Sequence, residues 1–119
     1  MLARVCAKGK ALAIFSTLEA WLADEDSQVT AIDCLGELGD ERGRALIRKA
    51  LEKPVELNAG WRKRIAARAL AQLQDANALH VLLDDEDWFA RLGVLEAVSH
   101  LNNAHDRAQL IARGKTDVD

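Results

Sequence analysis

The chain has 119 residues and a net charge of −3 at neutral pH, and half of its residues are hydrophobic although Tyr is absent and Phe occurs twice. The scarcity of aromatic and β-branched residues disfavours a strand-rich fold, and the abundance of Ala and Leu favours helices. The net charge argues against a protein whose whole surface binds anions. No apolar run approaches the roughly 20 residues that span a bilayer. The start also lacks a signal-peptide pattern, so we expect a cytoplasmic protein with no membrane segment.

Apolar residues recur at helical spacing along most of the chain. In chain order, the pattern predicts helices over 2–9, 10–23, 27–38, 41–52, 60–73, 76–83, 88–101 and 104–113. We expect Gly39 to take a left-handed turn, Asp40 to cap the helix that follows, and Gly114 to end the last helix. Acidic turns at 24–26 and 84–87 each precede a helix, where carboxylates suit the N-terminus.

One stretch, residues 29–40, returns in altered form at 64–75 and 92–103. When the three copies are aligned, equivalent positions hold residues of the same kind. Examples are Ala31/Ala66/Val94, Leu38/Leu73/Leu101 and the small residues Gly36/Ala71/Ser99. A single helix pair cannot bury its apolar face, so repeated pairs stack and share a core. The expected fold is all-α: one domain over 1–119, a right-handed α-solenoid of about four helix-turn-helix pairs and about eight helices. The pairs fall at 2–23, 26–53, 58–83 and 87–113, followed by a tail at 114–119.

These copies resemble the HEAT repeat, in particular the short bacterial variety called the phycobilisome-lyase HEAT-like repeat. The resemblance is carried by Gln28, Ala31, Cys34, Leu35, Leu38, Gly39 and Asp40, by Lys63, Ala66, Ala69, Leu70, Leu73 and Asp75, and by Arg91, Val94, Ala97, Val98, Leu101 and Asn103. It implies a curved helical surface that binds other macromolecules, with partners that differ between members.

The same resemblance implies no catalytic residue. HEAT-type enzymes that hydroxylate a modified lysine hold iron with His-Glu pairs. In this chain His80, His100 and His105 are followed by other residues, namely Val81, Leu101 and Asp106. We therefore expect no iron site of that kind.

Basic residues are concentrated between positions 42 and 68, where nine of them stand against two acids. They are Arg42, Arg44, Arg48, Lys49, Lys53, Arg62, Lys63, Arg64 and Arg68. Arg44 and Arg48 are expected to face a groove, since the second helix of a solenoid pair usually lines the concave side. Arg62, Lys63, Arg64 and Arg68 are expected nearer the ridge or the convex side. Three interpretations stay open: solvated faces that pair with neighbouring acids, a patch for an acidic protein segment, or a nucleic-acid surface.

The three Trp residues have different expected roles. Trp21 falls on the apolar side of its helix and is expected in the core. Trp61 and Trp88 open two of the repeated helices, beside Arg62 and Phe89. They either cover the junctions between repeats or act as exposed anchors for a partner.

Cys6 and Cys34 are isolated in sequence, and Cys34 falls in a column otherwise filled by Ala. We expect small buried hydrophobic residues here rather than a disulfide or a reactive thiol.

No motif indicates catalysis, a cofactor or a metal site, and the carboxylate runs are explained by helix capping. The sequence therefore predicts a non-enzymatic protein-interaction or scaffold module that presents a groove to another protein. The alternative is a nucleic-acid-binding domain that uses residues 42–68. A monomer or weak dimer is expected, and the chain is either a small stand-alone unit or part of a larger protein. The candidate binding residues are Arg44, Arg48, Trp61, Arg62, Arg64, Arg68, Trp88 and Phe89.

Overall fold

The computed structural model describes residues 11–53 and 59–117, and these residues form helices and turns without a strand. The α-helices of these described residues are α1 (Ala11–Leu22), α2 (Gln28–Leu38), α3 (Arg42–Glu52), α4 (Ala59–Gln72), α5 (Ala76–Leu83), α6 (Trp88–Ala97) and α7 (Ala104–Asp117), and a short 3₁₀ helix, Val98–His100, follows α6. The predicted all-α fold is confirmed for this part of the chain. The helix predicted at 2–9 lies outside the described residues.

Local turn chemistry places most of the helix ends. Gly39 is left-handed with φ of 74°, and the Asp40 carboxylate accepts a hydrogen bond from the Arg42 backbone N–H at 3.0 Å. At the equivalent turn, Gln74 has φ of 62° and the Asp75 carboxylate accepts from the Ala78 N–H at 3.2 Å. Asp87 caps α6 in the same way, because its carboxylate accepts from the Phe89 N–H at 2.9 Å. These side chains satisfy backbone donors that have no partner within a helix.

The last helix differs from its prediction. Gly114 does not end α7, which continues to Asp117. Gly114 is buried, and a Cβ at this position would overlap the side chain of Leu95 in α6. Position 114 therefore allows α7 to approach α6 closely.

The helices form two layers. The first helices of successive pairs, α2, α4 and α6, pack side by side with α4 in the middle, and α1 packs on α2. The second helices, α3, α5 and α7, pack against the first layer. A Cβ on Gly36 would lie 2.6 Å from the Ala69 Cα, and one on Gly93 would lie 2.8 Å from the Arg64 Cα. Small residues thus let α2 and α6 approach α4, although Ser99 of the predicted small column is exposed.

The shared core follows the predicted apolar columns. Ala31, Ile32, Ala66, Ala69 and Leu70 are completely buried. Trp21 is partly buried and packs against this core, as expected. Cys34 is buried, but its sulfur belongs to a disulfide, so the expectation of an unbonded cysteine is wrong there. Cys6 lies outside the described residues.

Candidate partner-binding surfaces

A groove of about 410 Å³ opens between α3 and α5, with α4 at its base. We call it the α3–α5 groove; it is lined by Arg48, Leu51, Glu52, Lys63, Leu70, Asn77, Ala78, Val81, Leu82 and Asp85. Leu70 and Leu82 are buried at the base, whereas Val81 is 70% exposed on the wall. Val81 is the most exposed of the large hydrophobic side chains in the described part of the chain.

Charged residues stand at the two ends of the α3–α5 groove. At one end, Arg48 Nη2 lies 2.5 Å from the buried carboxylate of Asp75. At the other end, Lys63 Nζ lies 2.7 Å from Asp85. Burial alone raises the pKa of Asp85, but hydrogen bonds from Lys63 and from the Asp87 N–H outweigh it and leave the pKa below its ordinary value. The groove therefore has an apolar middle and polar ends.

A second pocket, of about 250 Å³, lies on the outer side of α4 and α6. We call it the outer pocket; it is lined by Trp61, Arg64, Ile65, Arg68, Gly93, Glu96 and Ala97. With about 3.6 residues per turn, Trp61 and Arg68 lie on nearly the opposite side of α4 from Lys63 and Leu70. The two pockets share no residue. They are separate surfaces.

The outer pocket is walled by paired charges. Arg64 donates two hydrogen bonds to the Glu96 carboxylate, both of 2.6 Å, and its guanidinium lies 5.6 Å from the centre of the Trp61 ring. The hydrogen bond from Arg64 lowers the pKa of Glu96, and the same contact raises that of Arg64. Arg68 lies 2.6 Å from Asp33 of α2. These pairs tie α4 to its neighbours on both sides.

Exposed aromatic rings stand at the N-terminal ends of α4 and α6. Trp61 is 49% exposed, Trp88 is 56% exposed and Phe89 is 39% exposed. Trp88 stacks on Phe89 with ring centres 4.5 Å apart, and Phe89 lies against Gly60 at the start of α4. Phe89 therefore covers the junction between two repeats, while Trp61 and Trp88 keep about half of their surface in solvent.

Two of the predicted binding residues are tied into the fold. Arg62 is only 4% exposed, and its Nη1 donates to Gln28 Oε1 at 2.9 Å and to the Ala50 carbonyl at 3.0 Å. Burial lowers its pKa, with an opposing contribution from Glu25. Its side chain is therefore enclosed by the fold, and its role as a binding residue stays a prediction. Arg44 is half-buried and donates to the Leu73 carbonyl at 2.8 Å, so it joins α3 to the end of α4.

The predicted set is therefore divided between two surfaces. Arg48 lines the α3–α5 groove, whereas Trp61, Arg64 and Arg68 line the outer pocket. A single groove that combines Arg44 and Arg48 with aromatic anchors is not present in the described residues. Val81 was not among the predicted binding residues. The helical spacing of the sequence nevertheless indicates its exposure, because Val81 falls outside the buried stripe formed by Ala78, Leu79, Leu82 and Leu83.

Most of the basic stretch is paired with acids. Arg42, Arg48, Lys63, Arg64 and Arg68 form ion pairs with Asp40, Asp75, Asp85, Glu96 and Asp33, respectively. Hydrogen bonds from the Arg42 side chain and backbone lower the pKa of Asp40 to about 2. Of the three interpretations of this stretch, pairing with neighbouring acids agrees best with the geometry.

Neither a metal cluster nor a membrane span is found in residues 11–53 and 59–117. No three His, Cys, Asp or Glu side chains there come together as a metal site. His80 lies beside Arg113, with Nδ1 3.0 Å from Arg113 Nη1. None of the helices is long and apolar enough to cross a bilayer.

Two segments of the chain are similar to a known repeat family. The family model for the PBS lyase HEAT-like repeat matches residues 27–53 and 63–84. These two segments are similar to HEAT-like repeats. The first contains α2 and α3, and the second contains α5 and most of α4. The pair formed by α6 and α7 has the same arrangement but lies outside the matched residues. No curated protein and no solved structure matches the chain.

Proposed function

We propose that this chain is a non-catalytic protein-interaction module that binds an apolar segment of another protein in the α3–α5 groove. The observation that carries the proposal is the solvent-open apolar lining, with Val81 70% exposed above Leu70 and Leu82. A partner that removes apolar surface of this kind from water lowers the free energy of the system, which favours binding. HEAT-like repeats generally act as interaction or scaffold modules, which supports the same function.

The walls of the groove are held in place without a partner. Two arginines of α3 donate hydrogen bonds to the turn after α4: Arg44 to the Leu73 carbonyl and Arg48 to the Asp75 carboxylate. The same carboxylate caps α5. Both walls are therefore fixed to the turn between α4 and α5. A preformed groove reduces the ordering cost of binding, because little of the surface has to be reorganised.

Polar groups at the groove ends favour a segment with an apolar centre and polar flanks. Arg48 uses one guanidinium nitrogen for Asp75, and its side chain stays 51% exposed. Its other N–H groups are available to a carbonyl or carboxylate of the partner. Such contacts at the rim set orientation more than affinity.

The test compares two exposed positions that receive the same charge. The partner is first captured from cells that express the protein, identified by mass spectrometry and purified. It is then titrated calorimetrically against the wild type, Val81→Glu and Gln109→Glu. We expect Val81→Glu to weaken binding about tenfold or more, because a carboxylate would be buried against Leu82. Gln109→Glu, on the exposed side of α7, should bind like the wild type.

Trp61→Ala separates the groove from the outer pocket. If Trp61→Ala abolishes binding while Val81→Glu keeps wild-type affinity, the groove is not the binding site. Circular dichroism of each variant shows whether helix content has changed. A loss of helicity in Val81→Glu would also contradict the premise that this side chain is free of the core.

A further inference from the structure

The α3–α5 groove offers few hydrogen bonds to the backbone of a partner. Its apolar lining residues are Leu51, Leu70, Ala78, Val81 and Leu82, and its polar lining residues are Arg48, Glu52, Lys63, Asn77 and Asp85. Asn77 lies in the first turn of α5 and Asp85 follows its last turn, so these two mark the ends of that wall. Both walls are helices, whose backbone groups bond within the helix and leave no free edge for a partner strand.

An extended segment in this groove would lose backbone hydrogen bonds. Helix α5 has eight residues and is about 12 Å long, which corresponds to about three or four extended residues. Each of those residues would bring one N–H and one C=O, and the apolar lining can bond neither. Burying such groups without a partner is unfavourable.

A polyproline segment does not fit this lining either. Segments of that kind dock between aromatic side chains. No aromatic residue is among the groove-lining residues that the structure describes, because Trp61 lies in the outer pocket.

A partner helix avoids these costs, because its backbone bonds within the helix and only its side chains meet the groove. About two turns of helix match the length of α5. Apolar residues at i, i+3, i+4 and i+7 form a stripe along one side of those turns. The stripe would cover the exposed Val81 and the half-buried Leu51. Docking of an apolar helix side into a hydrophobic groove is a recurrent mode of recognition.

The charges of the groove specify a residue beside that stripe. Both lining cations, Arg48 and Lys63, already have carboxylate partners. Glu52 is exposed and forms no ion pair with any residue that the structure describes. Its neighbours Lys49 and Lys53 line a different pocket, between α3 and α1. The unpaired charge of the groove lining is therefore negative.

We propose that the α3–α5 groove binds an amphipathic helix with an apolar stripe about two turns long and a lysine or arginine beside it. The stripe packs on Leu51 and Val81, and the cation pairs with Glu52. This inference rests on the proposed function, because it specifies the kind of segment that the groove binds.

Two synthetic peptides of about 16 residues and identical composition, built from Ala, Leu, Lys and Glu, test the proposal. One has its leucines at helical spacing, with lysines beside them. The other has its leucines at alternate positions, which places them on one side of an extended chain. Fluorescence anisotropy of each labelled peptide is measured with the wild type, Val81→Glu and Gln109→Glu at up to about 500 μM protein.

We expect the helical-spacing peptide to bind the wild type and Gln109→Glu equally and to gain helix content on binding. Val81→Glu should bind it at least about tenfold more weakly, because a carboxylate would be buried under the stripe. The alternating peptide should not bind.

The other outcomes separate the helical occupant from the groove function itself. Binding of the alternating peptide at equal or greater strength, lost in Val81→Glu, would keep the groove as the site and overturn the helix. Binding of neither peptide, or binding of the helical-spacing peptide that is unchanged in Val81→Glu, would also overturn the helix. The groove function fails separately, if the captured partner binds Val81→Glu with wild-type affinity.

An exchange of charge tests the cation beside the stripe. A helical-spacing peptide with glutamate in place of those lysines should bind the wild type about two- to fivefold more weakly, as expected for an exposed ion pair. Glu52→Lys should reverse this preference, because it now meets the glutamates. The same preference in the wild type and in Glu52→Lys would contradict the pairing with Glu52.

Discussion

Arg62 and Arg68 illustrate how surroundings determine the role of a residue. Both belong to the basic stretch and both lie on α4, but Arg62 is 4% exposed and Arg68 is exposed. Arg62 donates to Gln28 Oε1, and Gln28 in turn donates to the Leu22 carbonyl at 2.8 Å. This short network connects the ends of α1 and α3 to the starts of α2 and α4. Arg62 is thus a structural residue although its sequence context resembles a charged surface.

We predict that Arg62→Ala lowers the free energy of unfolding by about 2–4 kcal/mol. The change removes buried side-chain volume, and Gln28 Oε1 and the Ala50 carbonyl lose the hydrogen bonds that Arg62 donates to them. Urea denaturation followed by circular dichroism measures the change. Arg68→Ala is the control, and loss of its exposed pair with Asp33 should cost less than about 1 kcal/mol. Equal costs for the two variants would contradict the structural role of Arg62.

Helix α4 is central to the fold, because it lies between α2 and α6. It contacts α2 on one side and α6 on the other. Its residues also form the base of the α3–α5 groove, and Trp61 lies on its outer side. Small residues make this possible, since Gly36 allows α2 to come close to Ala69. A bulkier residue in that contact would move α2 relative to α4.

Gly36→Ala should destabilise the protein by about 1–3 kcal/mol, since the new methyl group would lie 2.6 Å from the Ala69 Cα, a backbone atom that cannot yield. Gly43→Ala in α3 is the matched control. Its methyl group would meet the flexible end of Leu73 at 3.2 Å. The gain of about 1 kcal/mol for replacing a helical glycine offsets that contact, so thermal denaturation should show near-wild-type stability. A stable Gly36→Ala protein would argue against close packing of α2 on α4.

Ion pairs across the molecule limit what the basic residues between positions 42 and 68 can bind. Five of its nine cations face carboxylates. Phosphate binding depends on cations that replace counterions, and a cation already paired with a carboxylate contributes little to it. The local excess of positive charge in the sequence is therefore largely neutralised in the fold.

Mobility-shift assays with duplex and single-stranded DNA and with RNA, at about 50 mM salt, should show no binding by the wild type. The double variant Asp33→Asn/Glu96→Gln removes the carboxylates from Arg68 and Arg64 and should bind more tightly than the wild type. Wild-type binding that falls steeply with added salt would instead support the nucleic-acid alternative.

For the residues that the structure describes, local sequence predicted most of the helix positions, the turns and the core columns. Those features depend on neighbours within a turn or two, as at Gly39 and Asp75, and on apolar spacing along one helix. The right-handed sense of the stack stays a prediction. The repeated stretch also carries the resemblance to the HEAT-like repeat.

The packing of one repeat on the next determines which charges are paired and which surfaces are open. The partners Asp33 and Glu96 lie 35 and 32 residues from Arg68 and Arg64, and their distances depend on how the repeats stack. Stacking also buried Arg62, placed Gly114 against Leu95, and left Val81 exposed in the groove. Local patterns define each helix, but the packing of one repeat on the next determines which side chains reach solvent.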